Sequence, residues 1–226
     1  MTPEIALAEL TARAVPDKAA GMAAHHGAGR VYLGIPAHEI DALAGAWRAA
    51  SPPEARLELA AALWQSDIHE ARIAAAKLLA QARIRPDDSG AWRLIVSWVP
   101  GFDTLAITEQ AAIAGQKRLV ADPSRLDEVE GWTRADQVWT RHAALLMTLP
   151  WTRQRAPKPA ERAVRERVLG WAKDHAGHGE RQIRKVLAAW LCALSKRDPG
   201  RVRTFLDTRG GRMMPFARRS AARLPG

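Results

Sequence analysis

Apolar residues recur at helical spacing along most of the chain, and short polar or proline-containing breaks separate the helical stretches. The clearest stretch is Arg181 to Leu194, where apolar residues fall at i, i+3, i+4, i+7, i+8 and i+11. This spacing predicts one helix with a single buried face. Another helix is predicted from Asp103 to about Val120. Because runs of β-branched residues are short and few, the pattern indicates an all-α protein.

Three local signals predict where helices begin. Asp67 with Glu70 fits a capping box, in which the side chains of the two residues cap the first turn of a helix. Thr133 with Asp136 resembles a weaker version of the same signal. The pair Asp198-Pro199 places a good N-cap residue before a proline at the first helical position.

The helices are predicted to form repeats. Helix pairs rich in Trp and Leu recur about every 35 to 45 residues, within the range of HEAT-type repeats. One such pair cannot bury its apolar face alone, so neighbouring pairs stack and create an extended concave surface. We therefore expect an α-solenoid of HEAT-like antiparallel helix pairs in one domain, residues 1–226, with N-terminal helices in residues 1–29.

Positive charge is concentrated in the last third of the chain. The formal net charge is +10, but residues 151–226 carry 19 Lys and Arg against 6 Asp and Glu, while residues 1–150 carry 15 against 18. A concentrated basic region attracts polyanions, and neutralising phosphates is a main source of affinity for nucleic acid. The alternative is a solvated basic surface that serves solubility.

Composition narrows the class of protein further. The single cysteine, Cys192, excludes an intrachain disulfide and favours a reducing cytoplasm. It lies beside the apolar face of its helix, where a small buried side chain is a better interpretation than a nucleophile. No apolar run suits a membrane span or a secretory signal. The histidines are scattered without the spacing of a zinc site, so we expect no metal ion. We also expect no cofactor, and a monomer in the cytoplasm.

Nine tryptophans are present, and most are expected in the core. Trp139 and Trp190 differ because basic residues flank them, and an aromatic ring between cations can contact a sugar or base while the cations bind phosphates. Trp190 also lies at the centre of an apolar face, so the core is the better interpretation for it. The flanking residues considered as DNA contacts are Arg141, His142, Arg184 and Lys185. The tryptophans assigned to the core are Trp47, Trp64, Trp92 and Trp171.

Glu109 is the candidate catalytic acid. It shares a predicted helix face with Leu105, Ala112 and Ile113, which are apolar. An acid in apolar surroundings often has a perturbed pKa and a functional role. The alternative is an acid at the edge of the apolar face that pairs with Arg or Lys. The only long irregular segment, Pro150 to Ala160, is expected to be a basic loop.

Five segments, in order, resemble the AlkD-like family of DNA alkylation repair proteins, over about residues 30 to 224. The resemblance implies a HEAT-like solenoid whose concave basic face holds duplex DNA. It implies removal of cationic N3- and N7-alkylated purines, with an Asp that stabilises the sugar cation, two Trp and an Arg around the lesion. The five segments are Tyr32–Pro36, Ala62–Arg72, Val138–Leu145, Lys185–Pro199 and Phe216–Ala221.

This sequence departs from the family pattern at those positions. Glu109 stands in place of the family Asp, while a register shifted by three residues would place no acid there. The resemblance extends phosphate contacts to Arg218 and Arg219 near the chain end. The other substituted positions are Leu105 and Ala189 for the two Trp, His142 for the Arg, with Arg141 before it, and Cys192 for a further Arg.

Three functions remain open from the sequence. The protein could be a glycosylase for alkylated purines, with Glu109 as the acid and Arg141 or His142 at a phosphate. It could be a non-catalytic relative that binds damaged, bent or branched DNA. It could instead be a scaffold for protein partners, as many α-solenoids are.

Overall fold

The structure is a computed structural model that describes residues 1–177 and 179–209. The described chain is helical, with one isolated parallel bridge between Val31 and Ile68. It folds into two compact units, the first spanning residues 1–121 and the second beginning at Asp122. The helices are α1 Pro3–Thr11, α2 Pro16–His26, α3 Ala37–Ala50, α4 Pro53–Gln65, α5 His69–Leu78, α6 Ser89–Trp98, α7 Leu105–Ala121, α8 Leu126–Trp132, α9 Val138–Met147, α10 Leu149–Thr152, α11 Pro159–His175, α12 Arg181–Ser195 and α13 Pro199–Arg209.

Helix α5 is the centre of the first unit, and α3, α4 and α7 pack around it. Its alanines let these helices approach closely, because small side chains shorten the distance between helix axes. Trp47, Trp64 and Trp92 of this unit are buried, as predicted. The Trp64 ring stacks on Trp98 with ring centroids 4.5 Å apart. The fully buried alanines of α5 are Ala71, Ala74, Ala75 and Ala76.

The start of α5 differs from the predicted capping box. Ile68 is its N-cap residue and provides no side-chain cap, while Asp67 adopts a positive φ of 57°. The Glu70 carboxylate instead accepts hydrogen bonds from the backbone N–H groups of residues 33, 34 and 35, at 3.0, 2.8 and 3.3 Å. Gly34 is required at this site because its φ is 78° and an added Cβ would lie 2.3 Å from the Val15 carbonyl oxygen. Glu70 is therefore a buried anchor for a distant loop.

Helix α12 is the centre of the second unit and packs against α9, α10, α11 and α13. It begins at Arg181, as predicted, and every apolar residue of its predicted face is buried. Trp171 of α11 is also buried, as predicted. The N-cap prediction for α13 is confirmed, because the Asp198 carboxylate accepts a hydrogen bond from the Arg201 backbone N–H at 3.0 Å.

Two other local predictions differ from the structure. Thr133 lies at the end of α8, where its hydroxyl donates to the Glu130 carbonyl oxygen, and α9 begins five residues later at Val138. The predicted loop from Pro150 to Ala160 is shorter, because α10 includes residues 149–152 and α11 begins at Pro159. Within the described chain, none of the helices combines the length and apolar character that crossing a membrane requires.

Candidate functional site

Glu109 lies on the solvent-exposed face of α7. The opposite face of the helix is buried and includes Ile107, Ala111 and Ala114. Leu105 and Ile113, one turn before and one turn after Glu109, keep 40% and 39% of their surface exposed. The predicted apolar face with an acid in it is therefore real, but it is mostly a surface feature and not the core face of the helix.

The Glu109 carboxylate has neither a hydrogen bond nor an ion pair among the residues that the structure describes. The alternative of an acid paired with Arg or Lys is therefore not met among residues 1–177 and 179–209. The side chain is exposed, yet the adjoining protein removes part of its hydration, and this desolvation raises the pKa of Glu109 above its usual value. The result is a free acid between aliphatic side chains.

Two arginines anchor the segment that leads into α7. Arg30 donates from Nε to Asp103 at 3.1 Å and from Nη1 to Asp67 at 2.7 Å. Arg72 pairs with the same Asp67 at 3.1 Å and donates to the Gly101 carbonyl oxygen at 3.3 Å. This network fixes the start of α7 and so the position of Glu109. Sequence reasoning missed it because its partners are up to 73 residues apart.

In the second unit, Trp139 and His142 lie together on α9. The Trp139 ring is half-buried and meets the His142 ring edge-on, with centroids 5.8 Å apart. His142 is buried, and its Nδ1 lies 3.2 Å from the Gln182 carbonyl oxygen at the start of α12. Burial lowers the pKa of His142 to about 4, although the Gln182 hydrogen bond acts in the opposite direction. His142 is therefore neutral at pH 7 and supplies no charge for a phosphate.

Arg141 is also buried, and its guanidinium is occupied by protein groups. Nη1 donates to the carbonyl oxygens of Ala135 and Asp136, at 2.5 and 2.7 Å, and Nη2 forms an ion pair with Glu180. These contacts join the start of α9 to the residue just before α12. Arg141 therefore has a structural role here, with little of its surface open to a ligand.

The exposed face of α12 is basic. Arg181, Lys185 and Ala189 are exposed at intervals of four residues, and Arg184 is half-buried beside them. No described residue forms an ion pair with Arg181, Arg184 or Lys185. The first turn of α12 contains no acid, and the adjacent Glu180 is paired with Arg141. Cations at the positive end of a helix dipole are unfavourable by some tenths of a kcal/mol, and a bound anion would offset this.

Ala189, to which the resemblance assigns a family Trp, is exposed between Lys185 and Cys192. Trp190 next to it has no exposed surface, and its Nε1 donates to the Thr148 hydroxyl at 3.1 Å. Trp190 is therefore a core residue and offers no surface to DNA. Cys192 is a free, half-buried thiol at the edge of the same exposed face.

The remaining predicted contacts, Arg218 and Arg219, lie outside the described residues. Among the residues that are described, no group of three or more His, Cys, Asp or Glu side chains could hold a metal ion. Each unit therefore contributes its own candidate feature: a free acid on α7 in the first unit, and a basic face on α12 in the second unit.

Comparison of the chain with known proteins shows which family it matches. Residues 6–224 match the family described as DNA alkylation repair enzyme. A solved structure of a predicted DNA alkylation repair enzyme from Enterococcus faecalis has a TM-score of 0.75 at 20% identity, and covers 93% of this chain and 96% of its own. The structure of smu.31 from Streptococcus mutans UA159 has a TM-score of 0.63 at 18% identity, and covers 84% and 92%. The prediction of an all-α solenoid fold is thereby confirmed. The search of curated proteins found no match.

Proposed function

Because this chain belongs to the DNA alkylation repair enzyme family, we propose that it binds duplex DNA and releases cationic N3- and N7-alkylated purines from it. Glu109 is the acid that stabilises the sugar cation formed in the reaction. The observation that carries this proposal is the free Glu109 carboxylate, which lies exposed between Leu105 and Ile113 with no ionic partner among the described residues. We place this action in the cytoplasm, with the protein as a monomer.

Cleavage of the bond between the sugar and an alkylated purine requires little catalytic assistance from the protein. An alkylated purine already carries a positive charge and leaves as a neutral base when the bond to the sugar breaks. Positive charge then develops on the sugar, where a carboxylate stabilises it, and water adds to the sugar carbon and releases one proton. Aliphatic neighbours strengthen the attraction, because they lower the local dielectric around the carboxylate.

The basic face of α12 supports the DNA-binding part of the proposal. Arg181, Arg184 and Lys185 are available for phosphates, since no described acid pairs with them. Changing Arg184 and Lys185 to Glu should weaken binding equally for all duplex sequences, because phosphate contacts carry no sequence information. The proposed contacts of Arg218 and Arg219 can be measured in the same way. If duplex binding is absent even at low salt, the function as a protein scaffold is favoured instead.

The decisive experiment is single-turnover release of 7-methylguanine from alkylated duplex DNA. Wild-type protein should release the base, and Glu109→Gln should be about 100-fold slower, the usual loss when one preorganised electrostatic group is removed. Glu58→Gln on α4 is the matched control, because Glu58 is also an exposed helical acid. Equal rates for wild type and Glu109→Gln would reject Glu109 as the acid.

The pH dependence gives an independent check. Glu109 must be ionised to stabilise a cation, and desolvation raises its pKa above 4.5. The release rate should therefore fall as pH decreases through a midpoint above 4.5, and Glu109→Gln should lose this dependence. A wild-type rate that stays constant down to pH 4 would contradict the role of Glu109.

A second candidate function is a non-catalytic protein that binds damaged, bent or branched DNA. The substituted positions favour it, because Leu105 and Ala189 replace the family Trp residues and the neutral His142 replaces the Arg. Since residues 105 and 189 are both exposed, tryptophan fits at each without disturbing the core. Leu105→Trp with Ala189→Trp should accelerate base release if the chemistry is only weakened. Binding without release in both proteins would favour the non-catalytic function.

A further inference from the structure

The segment between α10 and α11, loop 153–158, carries three exposed cations: Arg153, Arg155 and Lys158. No described acid forms an ion pair with any of these side chains. The backbone under them is nevertheless held firmly by the buried Arg165. Arg165 donates from Nε to the carbonyl oxygen of residue 151 at 2.6 Å, and from Nη2 to that of residue 154 at 2.8 Å.

Further contacts hold loop 153–158 from both sides. The Glu161 carboxylate accepts from the Gln154 amide and from the Lys158 backbone N–H, each at 2.7 Å. Arg197, in the turn after α12, donates from Nε to the Arg153 carbonyl oxygen at 3.2 Å. The loop and this turn therefore form one surface, which we call the loop surface. Its cations are Arg153, Arg155, Lys158, Lys196 and Arg197, and the acids beside them are Glu161 and Asp198.

Elsewhere in the second unit, cations that stabilise the fold form ion pairs with acids. Arg167 forms ion pairs with Asp127 and Glu130, and Arg201 forms one with Glu166. The loop surface instead holds like charges close together on a fixed backbone, where they repel one another. A polyanion would relieve this repulsion, and the fixed backbone lowers the entropy lost when it binds.

We propose that the loop surface is a second phosphate-binding site, which takes the phosphodiester backbone of duplex DNA. The inference rests on the proposed function and extends it beyond the first turns of α12. Lys196 lies on the same exposed helix face as Arg181 and Lys185. The 15 helical steps from Arg181 to Lys196 span about 22 Å. That length corresponds to roughly six base pairs, so the loop surface continues the line of cations along the DNA.

The test is the salt dependence of binding to a fluorescent duplex of about 20 base pairs, between about 50 and 200 mM salt. Arg155→Gln with Lys158→Gln removes two cations whose side chains have no described partner, so the melting temperature should not change. Two lost phosphate contacts should lower the slope of log K against log salt by about 1.8. At 0.1 M salt this corresponds to about 60-fold weaker binding.

The matched control is Arg83→Gln with Arg85→Gln, which removes two exposed cations from a loop of the first unit. This control should keep the wild-type slope. A slope unchanged by the loop-surface variant would overturn the inference. So would an effect confined to single-stranded RNA, because the proposed occupant is duplex DNA.

A third variant separates failure of this inference from failure of the proposed function. Arg181→Gln with Lys185→Gln removes cations from the basic face of α12. If this variant lowers the slope and the loop-surface variant does not, the proposed function stands and the second site is overturned. If the wild-type protein binds no duplex at about 50 mM salt, both proposals are overturned.

Discussion

His69 should make the stability of the protein strongly dependent on pH. It is fully buried at the start of α5, where its ring stacks on Tyr32 and lies 4.4 Å from the His26 ring, measured between centroids. Neither of its ring nitrogens has a hydrogen-bond partner among the described residues. Burial is the main cause that lowers the pKa of His69 from 6.5 to about 3, and the charges of His26 and Arg30 add to it.

The sign and size of the effect follow from proton linkage. Because the folded-state pKa of His69 lies below the unfolded value, the unfolded chain binds the proton first as pH falls. The stability contributed by neutral His69 is complete above pH 6.5 and is lost as pH falls from there towards 3. At pH 5 the unfolded His69 is almost fully protonated and the folded one is neutral. The free energy of unfolding is therefore about 2 kcal/mol lower at pH 5 than at pH 7.5.

Urea unfolding of wild type and His69→Phe, followed by tryptophan fluorescence between pH 7.5 and 5, measures this effect. Phenylalanine keeps an aromatic ring in the stack and cannot be protonated, so the variant should lose about 2 kcal/mol less stability than wild type over this range. Exposed His38 provides the control, and His38→Gln should follow the wild-type curve. Parallel curves for wild type and His69→Phe would refute the burial argument.

Two other changes test the packing of the units. Gly34→Ala should destabilise the protein by more than about 2 kcal/mol in urea unfolding, because of its positive φ and the 2.3 Å approach to the Val15 carbonyl oxygen. Gly45→Ala in α3, where a Cβ meets nothing within 4 Å, should stabilise it by up to about 1 kcal/mol, and the reverse order would contradict this account. Arg141→Gln should lower stability by about 3 kcal/mol, since it removes two charged hydrogen bonds to backbone carbonyl oxygens and the ion pair with Glu180; a melting temperature equal to wild type would show that these contacts are not needed.

Local signals predicted the structure where the physical cause is local. The α12 face was predictable, because 3.6-residue periodicity and burial coincide along that helix. The Asp198 cap was predictable because its hydrogen-bond partner, the Arg201 backbone N–H, lies only three residues away. The capping box at Asp67 failed because the partners of Glu70 are backbone groups about 36 residues earlier in the chain. The residues next to Asp67 and Asp198 do not show which of the two predicted caps forms.

The candidate site was less predictable, because it depends on which face of a helix the core covers. Helix α7 has apolar residues all round, so periodicity alone could not show whether Glu109 faces the core or the solvent. Arg141 and His142 were considered for DNA contact because they flank Trp139. Their hydrogen bonds to residues near the start of α12 lie about 40 residues away and could not be seen in the sequence.

The division between structural and free cations also limits how strongly DNA can be bound. Arg118, Arg141 and Arg165 are buried and occupied by carbonyl oxygens, so the net charge overstates the number of phosphate contacts. Three cations of α12 and four of the loop surface keep side chains without a described partner. Seven contacts imply a slope of about −6 for log K against log salt, and Arg218 and Arg219 would add at most about 2. A measured slope near −12 would mean that cations outside these two surfaces also contact the DNA.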